Sequence, residues 1–326
     1  MNFTIFRGYD VEVKRNKHPF RPAYSKLLSV RSLVGDKPLV CLTATATNDV
    51  RTFLKTKLNM NPCSEVIVSP HKENIKYMVV PGGHPGQDIE RNFKWLLERL
   101  QEEKSAMDKT LIFFRQTKHI IALYEWLVKE LGQRGKPMQE RSVEMYHLKT
   151  SDTVKKDITS HFMKDSNLRV VLCSTSFSMG INLRDVKLVV HYGPASDTDS
   201  YIQETGRAGR QDHTRCHAVI IRHKYALNSK NISEDMKKFV KSKSCRRQLL
   251  MSPYVDEEVL SVKPAHRCCD CCSCECDTCD EDSCPVTISL GSDEEDDSSS
   301  SNSSSDSDSD IEVFKRKPVL VLSDSD

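Results

Sequence analysis

The segment RVVLCSTSFSMGINLRDVKLVVH, residues 169–191, decides the fold of this chain. Its two ends, Arg169–Ser174 and Val186–His191, are apolar runs of strand length without a regular polar alternation. Strands that are apolar on both faces are typical of a parallel sheet that helices cover on both sides. The segment therefore predicts an α/β protein with buried central strands.

The same pattern extends in both directions from this segment. Apolar strands are predicted at Thr110–Phe114, Val143–His147 and Cys216–Arg222, with helices at Lys118–Leu131 and Asp152–Met163. Strands that alternate with helices in this way indicate a single parallel sheet with helical connections.

The beginning of the chain, up to position 84, predicts a smaller α/β unit ahead of this sheet. It would comprise a helix at Ala23–Val34, a buried strand at Pro38–Leu42, a helix opened by Asn48, and short strands at Val66–Val68 and Tyr77–Val80. Residues 1–17 show no periodicity, and we expect them to be poorly ordered. A Gly/Pro cluster at residues 81–87 predicts a boundary between the two units at residues 84 and 85.

The net charge of +2 conceals a strong asymmetry along the chain. Residues 280–326 hold 14 acidic and 3 basic side chains, so residues 1–279 carry a net +13. A body this basic favours a polyanionic partner such as nucleic acid, although a solvated basic surface is an equally simple interpretation. No apolar run approaches the length of a membrane-spanning helix and no secretion signal is evident, so we expect neither membrane insertion nor secretion.

Nine of the 13 cysteines lie between Cys245 and Cys284, whereas the other four are scattered near predicted strands. Scattered cysteines of this kind are typical of small buried side chains. For the dense group, a metal site is favoured over a disulfide framework, because the chain shows no sign of secretion.

The decapeptide Tyr201–Arg210 reads YIQETGRAGR and follows a predicted helix start. Its arginines at positions 207 and 210 form a fork that suits phosphate oxygens, and the small residues between them allow the backbone to approach a charged ligand. The decapeptide therefore predicts an anion site.

Six segments occur in the order found in one enzyme superfamily: His18–Leu27, Leu42–Thr47, Thr110–Arg115, Ser176–Asn182, Gln203–Arg210, and Cys245 with Cys268–Cys272. Together they resemble the superfamily 2 helicases, and among these the RecQ-like DNA helicases. The resemblance covers residues 18–280.

The resemblance implies a particular domain organisation. Residues 18–84 would be a remnant of a first RecA-like lobe, and residues 85–225 the second RecA-like lobe, with a parallel sheet covered by helices on both faces. Residues 226–284 would form a small helical zinc-binding subdomain. Residues 285–326 are rich in Asp and Ser and predict a disordered acidic tail.

The resemblance also assigns roles to single residues. Arg207 and Arg210 would be arginine fingers, and Gln203 would sense the γ-phosphate of a nucleotide. Ser174 and Thr175 would bind DNA phosphates, while Arg115 could do the same or cap the sheet. Coupling to the nucleotide cleft would involve Gly180, Asn182, Asp185, Gly206, Thr43 and Thr45.

Two elements of an ATP site are missing from this sequence. No Gly-x-x-x-x-Gly-Lys-[Ser/Thr] loop occurs, because Gly132–Pro137 has the wrong spacing, and there is no Asp-Glu-Ala-His box. We therefore expect most of the first lobe to be absent. ATP and Mg²⁺ would bind only if that region were supplied, and the chain alone would not turn over ATP.

The resemblance points to Cys245, Cys268, Cys269 and Cys272 as zinc ligands, because zinc takes four thiolates in tetrahedral geometry. Cys276 and Cys279 could form half of a second site or compete for the first. A reduced cysteine-rich tail without metal is the remaining alternative.

The end of the chain, Val319–Asp326, joins a short apolar run to acidic residues and serines. It resembles a SUMO-interacting motif, which adds a strand to a partner's sheet; Val286–Leu290 is a weaker second copy. A solvated, repulsive acidic tail is the default interpretation.

Two functions follow from the sequence. The first is part of a nuclear, ATP-dependent 3′-to-5′ DNA helicase. The second is a non-catalytic adaptor that binds DNA and SUMO, or a sumoylated protein, and retains the second lobe and the zinc module.

Overall fold

The computed structural model describes residues 29, 32–33, 37–42, 46–60, 62–84, 88–174, 183, 185–210, 215–254 and 262–273. They form two compact units. The first unit contains the described residues of Met1–Lys72 and Arg247–Ser261, and the second contains those of Glu73–Arg246 and Val262–Asp326.

A six-stranded, all-parallel sheet forms the centre of the second unit. Its strands are β1 (Ile75–Pro81), β2 (Lys109–Phe114), β3 (Val143–Tyr146), β4 (Val170–Cys173), β5 (Val186–Tyr192) and β6 (Cys216–Arg222). Their spatial order is β1-β6-β5-β2-β4-β3. Every residue of β2 and β4 is buried, so the predicted α/β fold with apolar central strands is confirmed.

The α-helices of the described residues are α1 (Asn48–Lys57), α2 (Ile89–Asn92), α3 (Lys94–Glu102), α4 (Thr117–Glu130), α5 (Asp152–Met163), α6 (Thr198–Thr205), α7 (Glu234–Lys241), α8 (Arg246–Met251) and α9 (Asp270–Ser273). Helices α2 to α6 lie between strands of the sheet along the chain. Hydroxyl and carboxylate caps fix several helix starts: Ser151 opens α5, Asp197 opens α6 and Ser233 opens α7.

A hydrophobic core lies between one face of the sheet and helices α2, α3 and α4. Phe93, Leu96 and Leu123 pack there against Ile112 and Val190 of the central strands. On the opposite face, the ring of Tyr201 in α6 contacts the rings of Tyr77, His191 and Phe239. Helices therefore cover both faces of the sheet, as predicted.

The boundary between the units differs from the prediction. Strand β1 pairs with β6 over its whole length, from Ile75 with Cys216 to Pro81 with Arg222, and the Gly82 N–H donates to the Arg222 carbonyl at 3.0 Å. The second unit therefore begins at Glu73 rather than at residue 85. The Gly/Pro cluster ends an edge strand inside this unit and does not separate the units.

Two predicted strands of the first unit are wrong. Pro38–Leu42 and Val66–Val68 form no strand, and Val40, Leu42 and Val66 are exposed. No strand among the described residues of the first unit is available to pair with them, and an apolar run without a ladder partner cannot form a sheet. Helix α1 is confirmed, although its cap is Thr47 rather than Asn48. Most of Ala23–Val34 lies outside the described residues.

The predicted zinc subdomain does not separate as one block. Residues 262–273 group with the sheet of the second unit, whereas residues 247–254 group with the first unit. The predicted tail at 285–326 and the poorly ordered segment at 1–17 lie outside the described residues. No helix within the described part is long and apolar enough to span a membrane.

Candidate functional site

Residues 206–210, called the arginine turn below, directly follow helix α6 and are fixed by hydrogen bonds to the starts of two strands. The Gly209 N–H donates to the Val186 carbonyl at 3.3 Å, and Asn74 Nδ2 donates to the Gly209 carbonyl at 3.3 Å. Val186 opens β5, and Asn74 directly precedes β1. The turn therefore lies at the amino-terminal edge of the sheet.

Position 209 requires a glycine for two reasons, the left-handed backbone and the lack of room for a side chain. Its φ is +61°, and a Cβ at this position would lie 2.6 Å from Asn74 Nδ2. A Cβ on Gly206 would lie 2.8 Å from the Ile202 carbonyl oxygen. The small residues noted in the sequence thus allow the turn to close tightly against helix α6 and Asn74.

Arg207 is half-buried in this turn, whereas Arg210 is exposed. Burial lowers the pKa of Arg207, and the charge of Arg210 lowers it further, while Glu204 acts in the opposite direction. Burial also lowers the pKa of Arg210. Both guanidinium groups stay protonated at neutral pH, so two like charges are held close together in a partly desolvated place. An anion between them would relieve this repulsion.

Asp185 and Gln203 lie near the arginine turn. Asp185 has a φ of +63° and directly precedes Val186, whose carbonyl accepts the hydrogen bond from the Gly209 N–H. Its Oδ2 lies 4.0 Å from Lys109 Nζ. Gln203 is half-buried on α6, one helical turn before Arg207. Of the other predicted coupling residues, Gly206 belongs to the turn, and Thr43, Thr45, Gly180 and Asn182 lie outside the described residues.

Arg115 and Ser174 lie at the opposite, carboxyl-terminal edge of the sheet. They follow the adjacent strands β2 and β4, in which Phe113 pairs with Cys173. The Ser174 N–H donates to the Tyr146 carbonyl at 3.1 Å, and Arg115 Nη2 donates to Ser229 Oγ at 3.2 Å. Burial lowers the pKa of Arg115. Thr175 lies outside the described residues.

Sequence reasoning missed a buried histidine–glutamate pair next to the arginine turn. His191 Nε2 lies 2.9 Å from Glu204 Oε2. The His191 ring stacks on Phe113 with 5.1 Å between centroids and meets the Tyr201 ring at 5.0 Å. The available signal was a histidine at the end of an apolar strand and a carboxylate inside the YIQETGRAGR segment.

Four cysteines of the second unit converge as predicted. The sulfur atoms of Cys245, Cys268, Cys269 and Cys272 all lie within 4.8 Å of one another, and those of Cys245 and Cys268 are 3.6 Å apart. Zinc–sulfur bonds of about 2.3 Å in a tetrahedron place the sulfurs about 3.8 Å apart. The spacing of the cluster therefore fits a zinc ion.

The surroundings of the cluster also suit a metal–thiolate centre. The Cys272 N–H points at Cys269 Sγ at 3.4 Å. Hydrogen bonds from Cys245 and Cys268 lower the pKa of Cys269, whereas burial and Cys269 raise the pKa of Cys272 to about 12. The thiols thus compete for protons that a cation would displace. Cys271 is outside this group of four, and its Sγ lies 3.8 Å from the Ser242 carbonyl.

Asp270 and Cys268 connect the cluster to the sheet. The Val79 N–H donates to Asp270 Oδ2 at 2.9 Å, and the Tyr77 N–H donates to the Cys268 carbonyl at 3.4 Å. Arg246 forms an ion pair with Asp270 and donates to the Phe239 carbonyl at 2.7 Å. The four sulfurs are therefore held against edge strand β1. Cys276 and Cys279 lie outside the described residues.

Residues 91–212 match the helicase conserved C-terminal domain family. This range holds four strands of the sheet and the arginine turn. The chain contains a helicase conserved C-terminal domain. Its similarity to RecQ-like helicases extends on both sides of residues 91–212, because that similarity covers 78% of the chain.

Two relatives illustrate this similarity. The chain is 26% identical over 275 residues to the mouse bifunctional 3′-5′ exonuclease/ATP-dependent helicase WRN, covering 78% of this chain and 19% of that protein. It is 28% identical over 274 residues to the ATP-dependent DNA helicase RecQ of Pasteurella multocida, covering 78% of this chain and 39% of that protein. The chain thus spans less than half the length of either relative.

A solved structure shares the fold of most of this chain. The structure of S. cerevisiae Dbp5 bound to RNA and ADP BeF3 superposes with a TM-score of 0.50 at 17% identity, covering 72% of this chain and 56% of Dbp5. At this identity the likeness concerns the fold alone, and the sheet is RecA-like.

Proposed function

We propose that this chain is the arginine-supplying and DNA-binding part of a RecQ-like ATP-dependent 3′-to-5′ DNA helicase. The observation that carries this proposal is the turn that Gly209 and Asn74 fix, which keeps Arg207 and Arg210 near enough for the charge of Arg210 to lower the pKa of Arg207. Two like charges kept together on a rigid turn suit an anionic ligand better than they suit the stability of the fold.

In phosphoryl transfer, negative charge spreads over the oxygens of the transferred group, and an arginine aimed at them accelerates the reaction about 10³–10⁵-fold. Arg207 and Arg210 would supply this charge, and Gln203 would contact the same phosphate from helix α6. The P-loop and the carboxylates that hold Mg²⁺ would come from a first lobe. Asp185 and Gly206 would transmit closure of the site to the neighbouring loops.

DNA would bind at the carboxyl-terminal edge of the sheet. Arg115 and Ser174 would face the phosphates there, and the net +13 of residues 1–279 would strengthen the attraction. A DNA partner in a eukaryotic cell implies the nucleus. The resemblance of Val319–Asp326 to a SUMO-interacting motif adds SUMO, or a sumoylated protein, as a proposed partner.

Cys245, Cys268, Cys269 and Cys272 would hold a zinc ion. Because all four ligands come from the protein, the site would be closed and its role structural rather than catalytic. The ion would keep helix α9 and the cysteine backbone against strand β1.

The test is a fusion of the first lobe of a RecQ-like relative, such as the one from Pasteurella multocida, to the start of this chain. We expect DNA-stimulated ATP hydrolysis by the fusion, a loss of about 10³-fold or more in its Arg207→Ala variant, and none by the chain alone. Salt-dependent DNA binding without hydrolysis by the fusion would favour the non-catalytic adaptor. Absence of DNA binding would refute both functions.

A further inference from the structure

An exposed aromatic ring stands at the carboxyl-terminal edge of the sheet. Tyr225 follows the end of β6 by three residues and remains 58% exposed. It lies outside the hydrophobic core that the strands form with α2, α3 and α4. Packing of the fold therefore does not account for a tyrosine at this position.

The backbone at Tyr225 adopts a conformation that bulky residues rarely take. Its φ is +64°, in the left-handed region. The turn is fixed by hydrogen bonds from the Lys224 N–H to the Gly83 carbonyl at 3.0 Å and from the Asn228 N–H to the Tyr225 carbonyl at 3.1 Å. A glycine or asparagine would meet this geometry at lower cost. Strain that is retained in this way is frequent at binding sites.

Basic and aromatic side chains surround the ring. Lys224 Nζ lies 5.5 Å from the centroid of the Tyr225 ring, and the His84 ring meets it edge-on with centroids 6.0 Å apart. Arg222 and Lys230 are exposed on the same segment. The acidic side chain nearby, Asp88, accepts a hydrogen bond from the His84 backbone, so it is already engaged.

Arg115 joins this patch from the end of strand β2. It donates to Ser229, four residues beyond Tyr225. Burial lowers the pKa of His223, and the charge of Arg115 contributes to the same shift. The patch thus continues the edge at which Ser174 also lies.

We propose that Tyr225 is a stacking platform for an unpaired base of single-stranded DNA, with Lys224 and Arg115 facing the phosphates on either side. An aromatic ring among cations is the usual means of holding a single strand without reading its sequence. The inference rests on the proposed DNA-binding function and adds to it the base contact and the preference for a single strand.

The experiment compares the full chain with its Tyr225→Gly and Tyr225→Phe variants. Glycine removes the ring and relieves the left-handed φ, so the thermal midpoint should not fall. Phenylalanine retains the ring. Fluorescence anisotropy with a labelled oligothymidylate of about 16 nucleotides should show roughly tenfold weaker binding for Tyr225→Gly and little change for Tyr225→Phe. On an oligonucleotide of abasic sites, the wild-type chain and Tyr225→Gly should bind equally.

Other results would contradict either base stacking by Tyr225 or DNA binding as a whole. If Tyr225→Gly binds oligothymidylate as tightly as the wild-type chain, the stacking inference is wrong while DNA binding stands. An equal loss in Tyr225→Phe would implicate the hydroxyl group and also overturn stacking. If the wild-type chain shows no salt-dependent DNA binding at all, the proposed function itself fails.

Discussion

His191 Nε2 lies 2.9 Å from Glu204 Oε2, and the two side chains are only 2% and 3% exposed. His191 belongs to the central strand β5, and Glu204 lies in helix α6, three residues before Arg207. The pair therefore fixes the helix that leads into the arginine turn to the centre of the sheet. Burial and the charge of Arg210 lower the pKa of Arg207, and the Glu204 carboxylate partly offsets them by raising it.

Replacing Glu204 should destabilise the second unit. In Glu204→Ala the buried His191 loses its hydrogen-bond partner, and leaving a buried polar group unsatisfied costs about 1–3 kcal/mol. Glu204→Gln can still accept a hydrogen bond from His191 and should cost less. Urea unfolding followed by circular dichroism measures both variants.

The control for these variants is Glu98→Ala, on the exposed side of helix α3, which should change the free energy of unfolding very little. If Glu204→Ala and Glu98→Ala unfold at the same urea concentration, the pair does not hold the arginine turn in place.

Gly209→Ala should disturb the arginine turn more than a simple conformational penalty would. Gly209 and Gly132 have nearly the same φ, +61° and +60°, but a Cβ on Gly132 meets nothing within 4 Å. Gly132→Ala should therefore cost only the left-handed penalty of about 1–2 kcal/mol. Gly209→Ala adds the collision with Asn74, and its thermal midpoint should be clearly lower.

Comparing Gly209→Ala with Gly132→Ala separates the steric collision with Asn74 from the penalty of the left-handed backbone. Equal midpoints for the two alanine variants would mean that Asn74 moves aside without cost, and that the hydrogen bond from Asn74 to the Gly209 carbonyl contributes nothing to the turn.

The strands were predictable because their signal is local. Val170–Cys173 and Val186–Tyr192 are apolar on both faces, a property that sequence shows directly. The edge strand β1 was assigned to the wrong unit because its partner β6 lies far along the chain, and pairing at such a distance leaves no local trace. Helices α2 and α3 went unrecognised, although Ile89, Phe93, Leu96 and Leu100 recur at helical spacing.

The residues of the candidate site were also only partly predictable from the sequence. The cysteine quartet and the arginine turn carry compact patterns, and the structure brings the four sulfurs together. His191 with Glu204, and Tyr225 with Arg115, depend on residues that only the folded sheet brings close. A left-handed tyrosine gives no sequence signal, because tyrosine is not the residue that this conformation favours.

Acidification should destabilise the second unit through two histidines. Burial, together with neighbouring positive charges, lowers the pKa of His119 and of His217 to about 4. In the unfolded chain the pKa of histidine is about 6.5, so between these values only the unfolded chain takes up the protons. The two neutral histidines therefore contribute their full stabilisation above a pH of about 6.5, and this stabilisation is lost as the pH falls towards 4.

The measurement is the thermal midpoint between pH 7.5 and pH 5. The wild-type chain should lose several degrees over this range, and His217→Gln, which cannot take up the proton, should lose less. Since loss of a metal at low pH would affect both proteins alike, the difference between them is the quantity to compare. Parallel curves would refute the assignment for His217.

Zinc should bind at one stoichiometric site and stabilise strand β1. We expect one zinc ion per chain in protein purified without chelator, and its removal should increase hydrogen exchange at the amides of Tyr77 and Val79, which donate to Cys268 and Asp270. Cys272→Ser removes a thiolate of the quartet and should lose the ion. Cys271→Ser, one residue away but outside the quartet, is the matched control and should retain it. A zinc content near zero in the wild-type chain, or equal loss in both variants, would contradict the assignment of these four sulfurs.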